Sequence, residues 1–292
     1  MSRWQNHLQD FERQLINKIA AVRTTETKPE AAKERESIAS IMARTGTDKL
    51  SRHAYDRYYE LHFKEFRDKQ DLTILEIGAQ SGRSIQLWSE YFSNPAAIHG
   101  ISYGEDTQNV DQKKVVCDWN PAACDKVQIF RGDQSDPVFL KTITDQYKYD
   151  IIIDDGSHYP PHQIISLKHL FSAVKPGGLY VLEDLETSYW NAPGANLYGY
   201  SISAGIGASP KVNAIEKLKQ FIDVMMRFHM AHPGLHIFPD DDKFFYITFG
   251  QGLAIIRKAN DAEMQRPPNV PEAPVIHSGI DEWAARAMES NP

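Results

Sequence analysis

Residues 72–92 read "LTILEIGAQSGRSIQLWSEYF". Six mostly apolar residues, Leu72 to Ile77, run into Gly78, and a second glycine, Gly82, opens a segment with apolar residues at helical spacing. A short apolar run, a glycine turn and an amphipathic helix form the strand–turn–helix unit of an α/β fold. The spacing around the turn is E-x-G-x-x-x-G, not the G-x-G-x-x-G that cradles a pyrophosphate. Glycines at this place let the backbone come close to a ligand. The following helix offers free N–H groups, which suit a carboxylate as well as a phosphate.

The same alternation continues along the chain. "AIHGIS" (97–102), "VQIFRGD" (127–133), "YDIIIDD" (149–155) and "GLYVLED" (178–184) read as strands, and "HQIISLKHLFSAV" (162–174) reads as a helix closed by "KPGG". "KFFYITFG" and "GLAIIRK" flank a glycine turn and read as an antiparallel hairpin. Strands alternating with helices predict a mostly parallel sheet covered on both faces, here seven-stranded with the terminal hairpin at one edge. Residues 3–22 predict an amphipathic helix, so 1–44 read as an N-terminal helical extension. Residues 45–260 then form the sheet domain, with 190–240 an insert beside the ligand edge, and 261–292 form a tail. That tail holds the Pro-rich "RPPNVPEAP" (266–274) and a short helix over 281–289.

With 41% apolar and 24% charged residues, the 292-residue chain has the composition of a globular protein. Its net charge of −7 and pI of about 5.9 argue against a nucleic-acid partner. No run approaches the roughly 20 apolar residues that span a membrane, and the N-terminus lacks the apolar core of a secretory signal. Two cysteines, Cys117 and Cys124, are too few for a disulfide framework and fit no common zinc spacing. The expectation is a cytoplasmic protein with both thiols reduced.

Two successive strands end in carboxylate pairs, Asp154–Asp155 and Glu183–Asp184. If the strands are neighbours, four carboxylates gather at one edge, which is more negative charge than a partly buried cleft holds uncompensated. Oxygen clusters of this kind suit Mg²⁺, which takes one or two carboxylates and keeps positions for water or substrate. His158 follows Asp155 by three residues, and an imidazole beside such a cluster suits a general base. His162 reads as a structural or capping residue. Phe63, Trp88, Tyr91 and Phe92 read as packing residues. Tyr189 and Trp190 either line an acceptor pocket or pack.

Taken in order, "GTDK" (46–49), "HAYDRYYELHF" (53–63), "LEIGAQSGRSIQLWSEYF", "GDQSD" (132–136), "DIIIDDGSH" and "SLKHLFSAVKPGGLYVLEDLETSYW" resemble the metal-dependent sugar O-methyltransferases of natural-product pathways, the macrocin and mycinamicin type. The resemblance covers about residues 45–258. It implies a Rossmann-like class I methyltransferase fold, S-adenosyl-L-methionine and Mg²⁺ as cofactors, a small-molecule hydroxyl acceptor (a glycoside or diol), and a homo-oligomer. Carried over by position, it implies Gly78, Gly82 and Glu76 at the cofactor loop, Thr47 near the methionine end, and Asp133 with Gln134 facing the adenine. It implies Asp155, Glu183 and Asp184 as metal ligands and His158 as the base. Asp154 is expected to orient the cofactor or its loop.

One position departs from the pattern. The second strand ends in Ser102, where folds of this kind carry an acid for the ribose hydroxyls. Ser102 can make one such bond, or Glu105 or Asp106 can fold back to replace the acid. The departure also leaves room for a fold repurposed to a non-methylating reaction, or for a non-catalytic partner subunit.

Overall fold

The computed structural model describes residues 35–104, 110–190, 196–197, 199–202, 204–230 and 232–265, together with residues 282 and 285. The expected helix over 3–22, the Pro-rich stretch, most of 281–289, and Glu105 and Asp106 lie outside the described residues. The chain divides into two compact units, 1–37 and 38–292. Of the first, residues 35–37 are described, and they are exposed.

The second unit opens with three short helices, α1 (Ile38–Thr45), α2 (Asp48–Ser51) and α3 (Asp56–Phe63). Next come β1 (Leu72–Ile77), α4 (Arg83–Tyr91), β2 (Pro95–Ser102), α5 (Gln112–Trp119), β3 (Val127–Arg131) and α6 (Pro137–Thr144). They are followed by β4 (Tyr149–Asp154), α7 (Pro160–Leu170), β5 (Val174–Leu182), the small hairpin β6 (Asn196–Leu197) and β7 (Tyr200–Ser201), and α8 (Ala214–Met225). The strands β8 (Phe244–Phe249) and β9 (Ala254–Lys258) and the short α9 (Asp261–Met264) close the unit. The main sheet has the order β3-β2-β1-β4-β5-β9-β8. Its first five strands are parallel, and β9 is antiparallel to both β5 and β8. This is the seven-stranded arrangement expected, with the hairpin at one edge.

The strands read as continuous apolar runs because both faces of the sheet are dry. In β4, Ile151 and Ile153 point to one face and Ile152 to the other, and all three are fully buried. One face packs Leu75, Ile152 and Tyr180 against Leu167 of α7 and Phe221 of α8. The opposite face packs Ile74, Ile151 and Val181 against Met42 of α1, Phe63 of α3 and Trp88 of α4. Phe63, Trp88, Tyr91 and Phe92 are core residues, as expected. α1 lies inside the stretch expected to be extension, yet its Ile38, Ile41 and Met42 belong to this core.

Three local features differ from the sequence reading. The "KPGG" stretch lies inside β5, as an irregularity between the Tyr149–Val174 and Ile151–Leu179 pairings, with Gly177 at φ +78°. Two eight-residue helices, α5 and α6, occupy stretches where no element was expected. Asp111 and Asp136 cap them, accepting from the backbone N–H groups of Lys114 and Val138. The thiols are also not reduced: Cys117 and Cys124 form a disulfide. Pro121 ends the run of α5, and the short 3-10 turn after it brings Cys124 back to within 4.5 Å Cα–Cα of Cys117.

On β2, His99 is buried among Phe130, Tyr147 and Tyr149, with its Nδ1 2.8 Å from the Tyr149 hydroxyl. Burial pushes the imidazole pKa down to about 4. The unfolded chain therefore binds a proton that the folded chain refuses between about pH 6.5 and 4. The stability His99 contributes is complete above pH 6.5 and declines as pH falls through that window. Replacing His99 with Gln is expected to remove about 2–3 kcal/mol of this acid-side loss of stability, read in urea titrations between pH 7 and 4.

Candidate active site

Asp154 of β4 lies opposite Leu182 of β5, so the residues that follow, Asp155 and Glu183, leave the sheet side by side at its carboxyl edge. The charge gathered there is compensated by an ammonium that the strand ends do not supply. Lys49 of α2 is 1% exposed. Its Nζ donates to Asp155 Oδ2 at 2.5 Å and to Glu183 Oε1 and Oε2 at 2.7 and 2.9 Å. The same Nζ pairs with Glu76 Oε1 at 3.1 Å. The Tyr59 hydroxyl donates to Glu183 Oε1, and Trp88 Nε1 donates to Glu76 Oε2 at 3.1 Å. Burial opposes the charge on Lys49, but Asp155, Glu183 and Glu76 outweigh it and hold the ammonium well above its usual range. Three carboxylates around one cation still leave negative charge in excess. Burial, and then the neighbouring Asp155, push Glu183 upward against the pull of Lys49.

A second, more open group lies beside this one. Asp184 Oδ2 is 3.4 Å from His158 Nδ1, and Asp155 Oδ1 is 3.9 Å from it. His53 Nδ1 approaches Asp184 from the other side at 3.3 Å. Asp184 and His158 both adopt left-handed backbone, with φ of 52° and 54°, a conformation that strains non-glycine residues. A hydroxyl pins each. Thr187 Oγ1 donates to the His158 carbonyl at 2.7 Å. The Tyr55 hydroxyl donates to Asp184 Oδ1 at 2.8 Å and accepts from the Asp184 N–H at 3.1 Å. The strain aims both side chains into one space, where His158 Nδ1 is buried with no hydrogen-bond partner.

Ligand atoms of Asp155, Asp184 and His158 converge within 4.8 Å of one another, as do those of Glu76, Asp155 and Glu183. Among the described residues, no such group holds the expected trio of Asp155, Glu183 and Asp184. The reason is Lys49 with Tyr59, which engage both oxygens of Glu183. The open pair, Asp155 Oδ1 with Asp184, beside an unpartnered imidazole nitrogen, fits a hard divalent cation that keeps positions for water or substrate.

The other expected residues divide by role. A cleft at the same edge is lined by Gly46, Thr47, Gly78, Ser81, Arg83 and Asp155, so Thr47 and Gly78 face it. Gly78, at φ +96°, is also required by packing inside the protein. A Cβ there would lie 1.9 Å from the Asp155 carbonyl, so the glycine serves packing between two loops of the protein. Gly82, at φ +80°, likewise lies against Gln112, 3.3 Å from a Cβ position. Glu76 is fully buried and supports Lys49 and Trp88. Asp154 is buried as well. It accepts from Gln134 Nε2 at 3.0 Å, from the Gly156 N–H at 3.4 Å and from Ser166 Oγ. Burial lifts its pKa to about 6. Gln134 in turn accepts from the Ser157 N–H at 2.6 Å. Asp154 and Gln134 therefore fasten the DDGSH loop from behind and do not face the cleft. Asp133 is half-buried and accepts from the N–H and hydroxyl of Ser135, both at 2.7 Å. Ser102 is buried and accepts from Arg131 and Gln112.

His162 is structural, as expected: its Nδ1 lies 3.0 Å from Ser157 Oγ, and its ring packs on Tyr159 and Tyr200. Tyr189 and Trp190 are exposed rather than packed. Lys49, Tyr55 and Tyr59 are the residues that reading by strand ends misses. The available signal was the lysine of "GTDK", because buried carboxylates demand a cation somewhere in the chain.

No family model matches the chain. It is 38% identical over 163 residues to the 8-demethyl-8-alpha-L-rhamnosyl tetracenomycin-C 2'-O-methyltransferase of Streptomyces olivaceus, covering 53% of this chain and 39% of that protein. It is 35% identical over 146 residues to the mycinamicin VI 2''-O-methyltransferase of Micromonospora griseorubida, covering 47% of this chain and 33% of that one. The chain thus matches well under half the length of these relatives. Among solved structures it resembles MycE, a methyltransferase of the mycinamycin pathway in complex with Mg, SAH and mycinamycin VI. The TM-score is 0.64 at 27% identity, over 82% of this chain and 58% of MycE. The chain therefore has the class I methyltransferase fold, and its curated relatives are sugar O-methyltransferases of natural-product pathways.

Removing the ammonium would leave Glu76, Asp155 and Glu183 facing one another in a dry site. Lys49→Met is expected to lower stability by about 3–5 kcal/mol in urea at pH 7, the cost of breaking a buried ion cluster from one side. Added Mg²⁺ is expected to restore part of that loss in the variant and to change the wild type less.

Proposed function

We propose that the chain is an S-adenosylmethionine-dependent, Mg²⁺-dependent O-methyltransferase acting on a sugar or vicinal-diol hydroxyl of a small-molecule natural product. The observation that carries this reading is the convergence of Asp155, Asp184 and an unpartnered His158 Nδ1, beside the cleft lined by Thr47 and Gly78. Similarity to enzymes named for 2'- and 2''-O-methylation of glycosides supports the acceptor class.

Asp155, through Oδ1, and Asp184 would hold the divalent cation. Thr47, Gly78 and Ser81 would border the sulfonium donor. When bound, the cation polarises the acceptor hydroxyl and the sulfonium supplies the methyl group. Everything else falls to side chains of this chain. His158 has Nδ1 turned toward the two carboxylates, so Nε2 takes the hydroxyl proton. Asp155 and Asp184 stabilise the imidazolium that results. The deprotonated oxygen bonds the methyl carbon as the carbon–sulfur bond breaks. Thr187 and Tyr55 hold the base and the carboxylate in line, and such positioning supplies much of the rate. Tyr189 and Trp190 are exposed beside this edge and offer apolar faces to the acceptor. A solvent-facing sugar hydroxyl is a poor nucleophile at neutral pH, which is why base and cation stand together.

The test is methyl transfer from S-adenosylmethionine to a panel of glycosides with free neighbouring hydroxyls, followed as product gaining one methylene in mass. EDTA is expected to abolish turnover and Mg²⁺ to restore it. His158→Ala is expected to lower kcat by roughly 10²- to 10⁴-fold while leaving cofactor binding intact. Product formed without consumption of the methyl donor would replace this reading with a non-methylating enzyme. Indifference of the protein's role to His158→Ala and Asp155→Ala would replace it with a non-catalytic subunit.

A further inference from the structure

In doubly wound nucleotide-binding folds a carboxylate about 20 residues past the glycine turn binds the ribose hydroxyls, at the end of the second strand. Ser102 stands at the end of β2, and the space around it is already organised. Ser102 Oγ accepts from Arg131 Nη1 at 2.8 Å and from Gln112 Nε2 at 3.4 Å. Arg131 Nη2 donates to Gln112 Oε1 at 2.9 Å, and Gln112 Nε2 donates to the Gln80 carbonyl, also at 2.9 Å. Arg131 is the register partner of Ser102 across β2 and β3. Gln112 is 1% exposed and opens α5, whose first residue lies against Gly82 of the glycine turn.

α5 itself is held firmly. Gln86 Nε2 donates to the Val115 carbonyl at 3.3 Å, Asn120 Nδ2 donates to the Ser89 carbonyl at 2.8 Å, and the Cys117–Cys124 disulfide ties its end. A hydroxyl, an amide and a guanidinium from three elements thus meet beside the turn. Arg131 is exposed as a residue, and among the described residues no carboxylate pairs with its guanidinium.

We infer that the ribose subsite of this chain has inverted charge: Arg131, held in place by Ser102 and Gln112, donates to the ribose hydroxyls that a carboxylate accepts from in other such folds. The inference rests on the proposed cofactor. A hydroxyl accepts as readily as it donates, so a fixed guanidinium can replace the acid. Two of its five N–H groups bind Ser102 and Gln112, and the others are left for the ligand. Ser102 is then a positioning residue, and its small side chain is what Arg131 requires. An aspartate at 102 would pair with Arg131 and consume the charge that the ribose needs.

The experiment is calorimetric titration of S-adenosylhomocysteine and of its 2'-deoxy and 3'-deoxy analogues into the full chain with Mg²⁺. The wild type is expected to lose about 10- to 100-fold in affinity with at least one deoxy analogue, the value of a hydrogen bond to a charged group. Arg131→Met is expected to weaken S-adenosylhomocysteine by a similar factor and to bind all three ligands alike. Arg131→Lys, which cannot span Ser102, Gln112 and the ribose together, is expected to lose discrimination in the same way. Ser102→Asp is expected to weaken binding. Undiminished discrimination in the Arg131 variants overturns the inference, even where overall affinity falls, because a merely structural arginine lowers all three ligands together. Tighter binding in Ser102→Asp also overturns it. Absence of any S-adenosylhomocysteine binding by the wild type overturns the proposed activity and this inference together, whereas wild-type binding without discrimination overturns the inference alone.

Discussion

The ammonium of Lys49 is the constraint on which the carboxyl edge of the sheet depends. Three side chains from three strand ends, Glu76, Asp155 and Glu183, converge in a place almost closed to water. A buried carboxylate cluster without a cation would be unstable by several kcal/mol. Lys49 reaches it from α2, whose preceding residues Gly46 and Thr47 line the adjacent cleft. The stretch "GTDK" thus contributes a wall of the cleft and, three residues on, the charge that lets β1, β4 and β5 end in acids together. Because Lys49 takes one oxygen of Asp155 and both of Glu183, it also determines which oxygens face outward.

What faces outward is held under strain. His158 and Asp184 both sit in left-handed backbone, where their side chains add steric cost, and each is tied by a hydroxyl from another part of the fold. Asp154 adds a third restraint from behind, through Gln134, Ser166 and Gly156. Strain that is over-determined in this way marks a place where side-chain direction matters more than local stability. The carboxylate pairs therefore have divided duties. Asp154 and Glu183 are enclosed by hydrogen bonds from the protein, while Asp155 and Asp184 meet the open space.

The glycines of the β1 turn carry a similar lesson. The sequence presents them as room for a ligand, and Gly78 does border the cleft. Their missing Cβ atoms, however, would collide with the backbone of the DDGSH loop and crowd the start of α5. Gly78 lets the β1 turn and the β4 loop come together so that Glu76 and Asp155 can share one lysine. The same close approach at Gly82 brings Gln112 in beside Ser102.

The sheet, its hairpin edge and the two acidic strand ends are legible from the chain of residues alone. Apolar runs with period-independent burial, glycine turns and amphipathic helices are local patterns, and β-branched runs such as Ile151–Ile153 leave little choice. The sequence did not show α5 and α6, because eight-residue helices carry too few turns for a clear period, and their caps, Asp111 and Asp136, look like any loop aspartate. Nor did it show that Cys117 and Cys124 meet, since that depends on the chain reversing at Pro121. Which carboxylates face the open group, and that Lys49 neutralises the others, was decided only in three dimensions. Lys49 lies 106 residues from Asp155 and 134 from Glu183. A pairing over that distance leaves no mark on spacing, because it exists only once the sheet has brought the strand ends together.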